Sequence, residues 1–356
     1  MKNRIIGIDV ARALAVFGMI LTHFKIVFGN AGSKILNSFA NFFDGKSAAT
    51  FVVLAGIGLS LMNKSAIKNK GLVKFNVQIT KRAIFLLIVG LSYLWIWPAD
   101  ILHSYAIYML ISLLFIQQKS KTLITGLICI IMIFPILLFF FNYETGWNFT
   151  DLYYQDLWTV NGFIRNLFFN GYNPVIPWVS FMLFGMWLGR QDLNDHLFLK
   201  IIFRFSGVTF IVLQIISYVL LNYFSYLETQ SFEIAKALFG TDPMPPMPIF
   251  MLNGISIAAT VISGTILISK RFSTNLLIVS LHKTGRLALT FYVAHVIIGI
   301  GVMEEMGGNN LGNYDISFSI LYALVFSLAC ILFAVVWTKY NTLGPLEWVM
   351  RKLTDS

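Results

Sequence analysis

The stretch that decides the fold is RIIGIDVARALAVFGMILTHF, Arg4 to Phe24. It is apolar and long enough to cross a bilayer as a helix, which takes about 20 residues. Yet it carries Asp9, Arg12 and His23. Each ionisable group inside a span costs roughly 2.5 to 3.5 kcal/mol on insertion scales, so such groups need partners or a wet cavity. At ~100° per residue, the three side chains share one stripe of the helix.

Two interpretations of this stripe are open. Asp9 and Arg12 are three residues apart and can form an ion pair that only holds helices together, with His23 at the membrane surface. Alternatively, the stripe lines a path along which a group crosses the membrane, or lines a channel.

The rest of the chain repeats the apolar character of the first stretch. Of 356 residues, 57% are hydrophobic and 12% are charged, whereas soluble domains carry about 25% charged residues.

Cys129 and Cys330 lie inside apolar runs and predict neither a disulfide nor a metal site. The first run is too long for a signal peptide and lacks a small-residue cleavage site. Ten runs of span length lie near 5–28, 47–63, 83–97, 100–117, 122–142, 174–190, 201–222, 249–269, 286–303 and 317–338.

The charges sort with these spans. If all ten cross the membrane, 21 of 26 basic residues fall on one face and 11 of 16 acidic residues on the other. Basic residues collect on the cytoplasmic side of membrane proteins, which explains the net charge of +10 better than a nucleic-acid partner does. We therefore predict an all-α, polytopic transmembrane bundle of about ten helices, with both termini cytoplasmic, as a single domain over 1–356.

A second polar site lies in WPADILHSYAIYML. Asp100 and His103 are three residues apart at the start of a predicted span, where a carboxylate can orient an imidazole for general-base catalysis. The alternative is a plain helix cap with an interfacial histidine. His23, Asp100 and His103 are predicted at one depth on the outer side, as catalytic residues. A metal site from these three is disfavoured, because no tight ligand spacing supports it.

A third site is HKTGRLALTFYVAHVIIG. Arg286 lies at the predicted cytoplasmic mouth of its helix, and Thr290, Tyr292 and His295 follow on the way inward. His295 is predicted near mid-membrane, where a neutral imidazole needs a hydrogen-bond partner. It is either a packing histidine or a polar contact to a substrate in a tunnel.

A fourth stretch, GYNPVIPWVSFMLFGMWLGR, is mostly architectural. Pro174 and Pro177 shape the entry to a helix, and Gly185 and Gly189 form a GxxxG pair that permits close helix contact. Trp178 is predicted near the outer interface, as a substrate or tunnel residue.

Loops and outer segments add two further expectations. The basic loop 64–82 predicts contact with anionic lipid, and Arg82, at a helix mouth, is its best phosphate-binding candidate. Of the three long outer segments, 29–46, 143–173 and 223–248, the second is rich in Tyr, Trp and Asn. It predicts either an interfacial aromatic belt or a surface on which sugars stack. The familiar nucleotide-binding, serine-hydrolase and zinc-hydrolase motifs are missing from the sequence.

Several of these stretches together resemble a known family. The opening R-x-x-x-I-D-x-A-R-A-L-A is followed by FVVLAGIGLSL, DILHSYAI, IPWVSFMLFGMWLGR, GRLALTFYVAH and GPLEWVMRKLT. This combination resembles the YeiB-like membrane proteins, relatives of the heparan-alpha-glucosaminide N-acetyltransferases in the transmembrane acyltransferase superfamily.

The resemblance implies an integral membrane acyltransferase that takes acetyl-CoA from the cytoplasm and needs no metal. The acceptor would be a glycan, a lipid-linked sugar or a small hydroxyl or amine compound on the other side of a bacterial plasma membrane. By this analogy His23 acts as acyl acceptor or general base, and Arg12, Arg82 and Arg286 bind the CoA phosphates.

Two points stay open beside the resemblance. A proton-coupled transporter or flippase is the alternative function, with Asp9, Arg12 and His295 as its path. The bilayer is a predicted partner and a nucleic acid is not, while a homo-oligomer is left open.

Overall fold

The computed structural model describes residues 4–69, 71–149, 152–226, 229–307 and 311–355. About three quarters of them are helical. The helices are α1 Ile6–Phe28, α2 Lys34–Asn41, α3 Lys46–Lys68, α4 Leu72–Ser92, α5 Leu102–Phe115, α6 Ser120–Phe140, α7 Val160–Arg165, α8 Val175–Arg190, α9 His196–Phe224, α10 Thr229–Phe239, α11 Pro248–Arg271, α12 Leu276–Gly285, α13 Ala288–Ala294, α14 Gly301–Gly307, α15 Ile316–Trp337 and α16 Pro345–Thr354. Two π-helical turns, Asn166–Asn170 and His295–Ile300, and two short strands, β1 Trp147–Asn148 and β2 Tyr153–Tyr154, complete the list.

The predicted class, an all-α polytopic membrane bundle, is confirmed. A helix stands at each of the ten predicted runs. Within the described ranges, seven helical stretches are long and apolar enough to cross a membrane, and α5 and α8 are shorter apolar helices. The protein is thus a multi-pass membrane protein.

The bounds of the third predicted span were wrong. Instead of 83–97, helix α4 covers Leu72–Ser92. The first half of α4 contains Lys74, Lys81 and Arg82. These residues lower the mean hydropathy of the segment, so the apolar run starts only after them. Lys and Arg are nevertheless good helix formers, so the helix itself starts earlier. The helix ends at Ser92, and its C-cap residue Tyr93 has left the helical conformation.

The outer segments contain structure of their own. Segment 29–46 holds α2, and segment 223–248 holds α10. Segment 143–173 forms an antiparallel hairpin, with Trp147 opposite Tyr154, followed by α7 and a π-helical turn. Residues 150–151 and 227–228 of these segments, and Lys70 of the basic loop, lie outside the described residues.

Side-chain caps mark several helix starts. Thr159 Oγ1 accepts from Gly162 N at 3.0 Å at the start of α7. Asn275 Oδ1 accepts from Leu277 N at 2.9 Å at α12, and the Asp315 carboxylate caps α15 in the same way. Such side chains satisfy amide groups that have no partner inside the helix, which explains why these helices begin where they do.

The backbone forms two compact units. The first comprises Met1–Phe51, Leu193–Phe203 and Ala258–Ser356, and the second comprises Val52–Asp192 and Arg204–Ile257. In the first unit α1 packs on α12, α13 and α15. The prediction of one domain over 1–356 stays a prediction.

Close backbone approach holds the second unit together. An added Cβ on Gly56 of α3 would lie 2.1 Å from Met182 O of α8, and one on Gly185 would lie 2.1 Å from Val53 O. The close contact predicted from the GxxxG pair is therefore present. Gly90 of α4 similarly admits His103 N of α5, at 2.6 Å from its Cβ position, so α4 and α5 pack tightly against each other.

We expect Gly56→Ala to lower the free energy of unfolding by about 1–3 kcal/mol, because α3 and α8 must move apart. Gly58→Ala is the matched control, since nothing lies within 4 Å of its Cβ position. Removing that glycine should stabilise the helix by about 0.5–1 kcal/mol. Thermal unfolding in detergent, followed by tryptophan fluorescence, measures both changes. Equal melting temperatures for the two variants would contradict the tight contact.

Candidate functional site

The first polar cluster in the first unit surrounds Asp9. Arg4 binds the carboxylate with two hydrogen bonds, Nε to Oδ2 at 2.6 Å and Nη2 to Oδ1 at 2.8 Å. Arg12 Nη1 donates to Oδ1 at 2.7 Å, and His282 Nδ1 of α12 lies 3.1 Å from Oδ2. The Asp9 carboxylate is therefore paired on both oxygens, as a carboxylate with 2% exposure requires.

The close contact of α1 with α12 brings these groups together. An added Cβ on Gly285 would lie 1.8 Å from Asp9 O, so only glycine lets α12 approach here. The sequence predicted the Asp9–Arg12 contact but not Arg4 or His282. Arg4 precedes the first residue of α1, so helical spacing says nothing about it, and His282 belongs to another helix.

Positive charge exceeds negative charge around this cluster. Arg286 follows α12, and its Nη2 donates to the carbonyl oxygen of Thr342. Burial, together with the positive charge of Arg4, lowers the pKa of Arg286 from its ordinary value, and the guanidinium stays protonated. Arg4, Arg12 and Arg286 thus give three guanidinium groups for one carboxylate, which favours an anion at this end of α1.

The second cluster in the first unit is a pair of histidines. His23 Nδ1 of α1 lies 2.7 Å from His295 Nε2, the first residue of the π-helical turn after α13. The ring centroids are 4.9 Å apart. His295 is fully buried and His23 is partly exposed. Neither residue was predicted to contact the other, because they lie 272 positions apart in the sequence.

Aromatic side chains surround the pair. Tyr292 meets His295 edge-on, with centroids 5.1 Å apart, and Phe51 stacks on Tyr292 at 6.3 Å. The ring of Phe24 is also near His295, with centroids 6.3 Å apart. A low-polarity wall of this kind strengthens a hydrogen bond between two rings and excludes water.

The hydrogen bond couples the protonation of the two rings. In a neutral imidazole one nitrogen donates and the other accepts. If His23 donates through Nδ1 to His295 Nε2, then His23 Nε2 carries a lone pair and can accept a proton. The pair can therefore work as an imidazole relay, with His23 as the more accessible member.

The two clusters lie at opposite ends of α1. Asp9 and His23 are fourteen residues apart, which is about 21 Å at ~1.5 Å per residue. The polar stripe predicted from the sequence thus contains an anion-favouring end and an imidazole end, within one compact unit.

Thr290 belongs to a third arrangement, at the start of α13. Glu347 Oε1 of α16 accepts from Leu289 N at 2.8 Å and from Thr290 N at 3.2 Å. Thr290 Oγ1 donates to Glu347 Oε2 at 2.6 Å and accepts from Leu346 N at 3.1 Å. The Thr290 hydroxyl is thus engaged by α16. Glu347 was not singled out in the sequence, although it stands in the motif GPLEW.

Asp100 and His103 form a buried pair in the second unit, whereas His23 belongs to the first. Asp100 Oδ2 lies 3.2 Å from both His103 N and His103 Nδ1, and Tyr93 Oη donates to Asp100 Oδ1 at 2.6 Å. The carboxylate therefore both caps the start of α5 and orients the imidazole. The contacts of this pair therefore fit both predicted roles, the helix cap and the carboxylate that orients an imidazole.

Arg82 and Trp178 also lie in the second unit. Arg82 Nη1 lies 3.5 Å from Met62 Sδ. Trp178 is fully buried and packs on Phe181 and Phe250, with centroids 5.3 and 5.8 Å away. Trp178 thus lies in the core of its unit, and its position near the outer interface stays a prediction.

The aromatic outer segment folds on itself. Arg165 binds Asp156 and donates through Nε to Tyr154 Oη at 2.8 Å, and Trp147 Nε1 donates to Asn170 O at 2.6 Å. Trp147 and Tyr154 are buried and form the core of the segment, whereas Tyr153 and Trp158 are exposed, so both interpretations of the segment stay predictions. Among the described residues, no group of three or more His, Cys, Asp or Glu side chains is arranged to hold a metal ion.

Comparisons with known proteins place this geometry in context. Residues 4–224, more than half of the chain, match the family model described as heparan-alpha-glucosaminide N-acetyltransferase, catalytic. Residues 187–356 match the model described as protein of unknown function (DUF418). The uncharacterized protein YeiB of Escherichia coli (strain K12) is 32% identical over 78 residues, 22% of this chain. The match spans 20% of the length of that relative. No solved structure matches.

We expect Asp9→Asn to lower the free energy of unfolding by about 2 kcal/mol, because two guanidinium groups lose their carboxylate. The loss is moderated because the Arg4 side chain is 53% exposed and can turn to water. Asp242→Asn, at an exposed position, is the control. Unfolding in a denaturant series measures the change. Coincident curves for both variants would show that Asp9 does not hold the cluster.

Proposed function

Because the chain belongs to the heparan-alpha-glucosaminide N-acetyltransferase catalytic family, we propose that it is an integral membrane acyltransferase. It takes an acyl group, in the first instance acetyl, from acyl-CoA on the cytoplasmic side. It delivers the group to a hydroxyl or amine of an acceptor on the other side, a sugar or a small compound. A lipid-linked acceptor fits this proposal only if its reactive group reaches His23.

The observation that carries this proposal is the 2.7 Å hydrogen bond between His23 and His295. General-base catalysis needs an imidazole whose other nitrogen is held by a partner, so that the free lone pair points in a defined direction. His295 supplies that partner, and the partial exposure of His23 gives an acceptor access to it.

The proposed transfer needs only His23, the acceptor and the thioester of the donor. His23 Nε2 takes the proton of the acceptor hydroxyl or amine as its oxygen or nitrogen attacks the thioester carbonyl carbon. The carbon–sulfur bond then breaks, and the CoA thiolate takes the proton back from His23. In the alternative order, His23 Nε2 attacks the thioester carbonyl carbon, the carbon–sulfur bond breaks and CoA leaves as the thiolate. The acceptor oxygen or nitrogen then attacks the acyl carbon, the bond from that carbon to Nε2 breaks, and the acceptor proton passes through His23 to the thiolate.

The arginines at the other end of α1 fit the donor. Acyl-CoA brings a thioester and several phosphate groups, and Arg12 and Arg286 with Arg4 offer positive charge in excess of Asp9. We assign the phosphates to this cluster and keep Arg82 as a further phosphate candidate. Asp9 acts by orienting the guanidinium groups.

The remaining candidates have supporting roles in the proposal. Tyr292 packs against the histidine pair and Thr290 lies five residues before His295 in the same helical segment. Asp100 and His103 form the carboxylate–imidazole pair of the second unit and stay candidate catalytic residues. Trp178 stays a candidate tunnel residue.

We expect His23→Ala to reduce acyl transfer by about 10²–10⁴-fold, the range of a lost general base. His295→Ala should reduce it as well, with a changed dependence of the rate on pH, because the orientation of His23 is lost. His196→Ala, at an exposed position on α9, is the control. Purified protein in proteoliposomes with radiolabelled acetyl-CoA and a panel of sugar and amine acceptors gives the rates. Transfer that survives His23→Ala unchanged would remove His23 from the mechanism.

We expect Arg12→Gln and Arg286→Gln to raise the KM for acetyl-CoA by about tenfold each, the scale of one charge-assisted hydrogen bond. The same variants should leave the KM for S-acetyl-pantetheine unchanged, because that thioester carries no phosphate. Arg271→Gln, on the exposed end of α11, serves as control. An equal loss with both thioesters would mean that these arginines act on the fold instead of the phosphates.

A further inference from the structure

The start of α13 receives its helix cap from another helix. Its own N-cap residue, Leu287, makes no side-chain cap hydrogen bond. The first amide groups of a helix need acceptors. The carboxylate of Glu347, on α16, accepts from Leu289 N and Thr290 N and supplies these acceptors.

Helix α13 is short and leads directly to the histidine pair. It covers Ala288–Ala294, and His295 follows as its C-cap. The helix continues from α13 through the π-helical turn, so Ala288–Met306 form one helical stretch of 19 residues. The cap from α16 lies at the start of this stretch, and His295, which contacts His23, follows within two turns of it.

From this geometry we propose that Glu347 is a positioning residue that holds His295 against His23 through α13, which makes the C-terminal helix α16 part of the reaction site. The proposal rests on the proposed function for its catalytic consequence. The positioning of α13 by Glu347 can be tested without any measurement of activity.

The surroundings of Glu347 are built for this contact. An added Cβ on Gly344, the N-cap of α16, would lie 2.1 Å from Glu347 Oε2 and 2.8 Å from Thr290 Oγ1. Gly344 has φ −67°, which any residue adopts, so it is space and not backbone conformation that calls for glycine. Pro345 then begins α16 at a position where no N–H is needed.

The charge of Glu347 adds to this argument. Burial raises the pKa of the Glu347 carboxyl, and the hydrogen bonds from Thr290 and Leu289 act in the opposite direction. Burying a carboxyl group costs more free energy than burying an apolar side chain. If the residue at position 347 served only to pack α16 on α13, an apolar side chain would do so at a lower cost in free energy. The carboxyl group is instead matched to two amides and one hydroxyl, the donors at a helix start.

Three variants separate positioning from simple packing. Glu347→Ala removes every acceptor, whereas Glu347→Gln keeps one oxygen for the two amides. Gly344→Ala leaves Glu347 in place but fills the space that its carboxylate occupies. Glu305→Ala, which removes an exposed carboxylate on α14, is the matched control.

Two readouts do not depend on activity. The first is hydrogen–deuterium exchange of peptides that cover residues 287–295, measured by mass spectrometry on the full-length protein in detergent. The second is the rate at which diethyl pyrocarbonate modifies His295, which is fully buried. We expect both rates to rise about tenfold in Glu347→Ala and Gly344→Ala, the scale of one lost helix cap, and to stay near wild type in Glu347→Gln and Glu305→Ala.

The catalytic readout is the pH dependence of acyl transfer. Glu347→Ala should lower kcat and alter the pH profile while the KM for acetyl-CoA stays unchanged, and Glu347→Gln should restore most of both. Unchanged exchange and unchanged His295 modification in Glu347→Ala and Gly344→Ala would overturn the proposal. So would a rise in both with an unaltered kcat and pH profile. If wild type transfers no acyl group, the proposed function fails, and exchange with His295 modification still decides whether Glu347 holds His295.

Discussion

The interaction on which the first unit depends is the pairing of Asp9 with Arg4 and Arg12. A carboxylate at the start of an apolar helix is tolerated only where opposite charge and hydrogen bonds replace water. Its side chain meets guanidinium groups on both oxygens and has His282 beside it. His282 and Gly285 place α12 against this end of α1. The chain that follows α12 leads through α13 to His295, which contacts His23.

Two glycines allow the close helix contacts on which this arrangement depends. Glycine at position 285 lets α12 lie against the backbone of Asp9, and glycine at position 344 lets α16 reach the start of α13. Gly285 leaves room for the backbone of Asp9, whose carboxylate forms the ion pairs, and Gly344 leaves room for the carboxylate of Glu347. Helix packing in membranes uses small residues because close contact replaces the hydrophobic driving force. Here the same residues also set where the polar groups meet.

Charge and imidazole chemistry are consequently separated along one helix. The end of α1 near Asp9 has an excess of guanidinium groups, and the end near His23 has two coupled rings in an aromatic surrounding. This separation suits a reaction whose donor carries phosphates and whose acceptor must lose a proton. The second unit also contains a contact between a carboxylate and an imidazole, that of Asp100 with His103. Tyr93 donates a hydrogen bond to this carboxylate.

The sequence alone determined the membrane class, the ten helical runs and the polar stripe of Asp9, Arg12 and His23, because hydropathy and helical period are local properties. It also placed Asp9 within reach of Arg12, since three positions make one turn. Only the tertiary structure decided that His23 meets His295, that Arg4 joins Asp9 and that Glu347 caps α13. These partners lie on other helices or outside the helix itself, and no periodicity within one segment encodes a contact between segments. The burial of Trp178 likewise could not be predicted from its own segment, because Phe250, one of the rings that cover it, comes from a distant part of the chain.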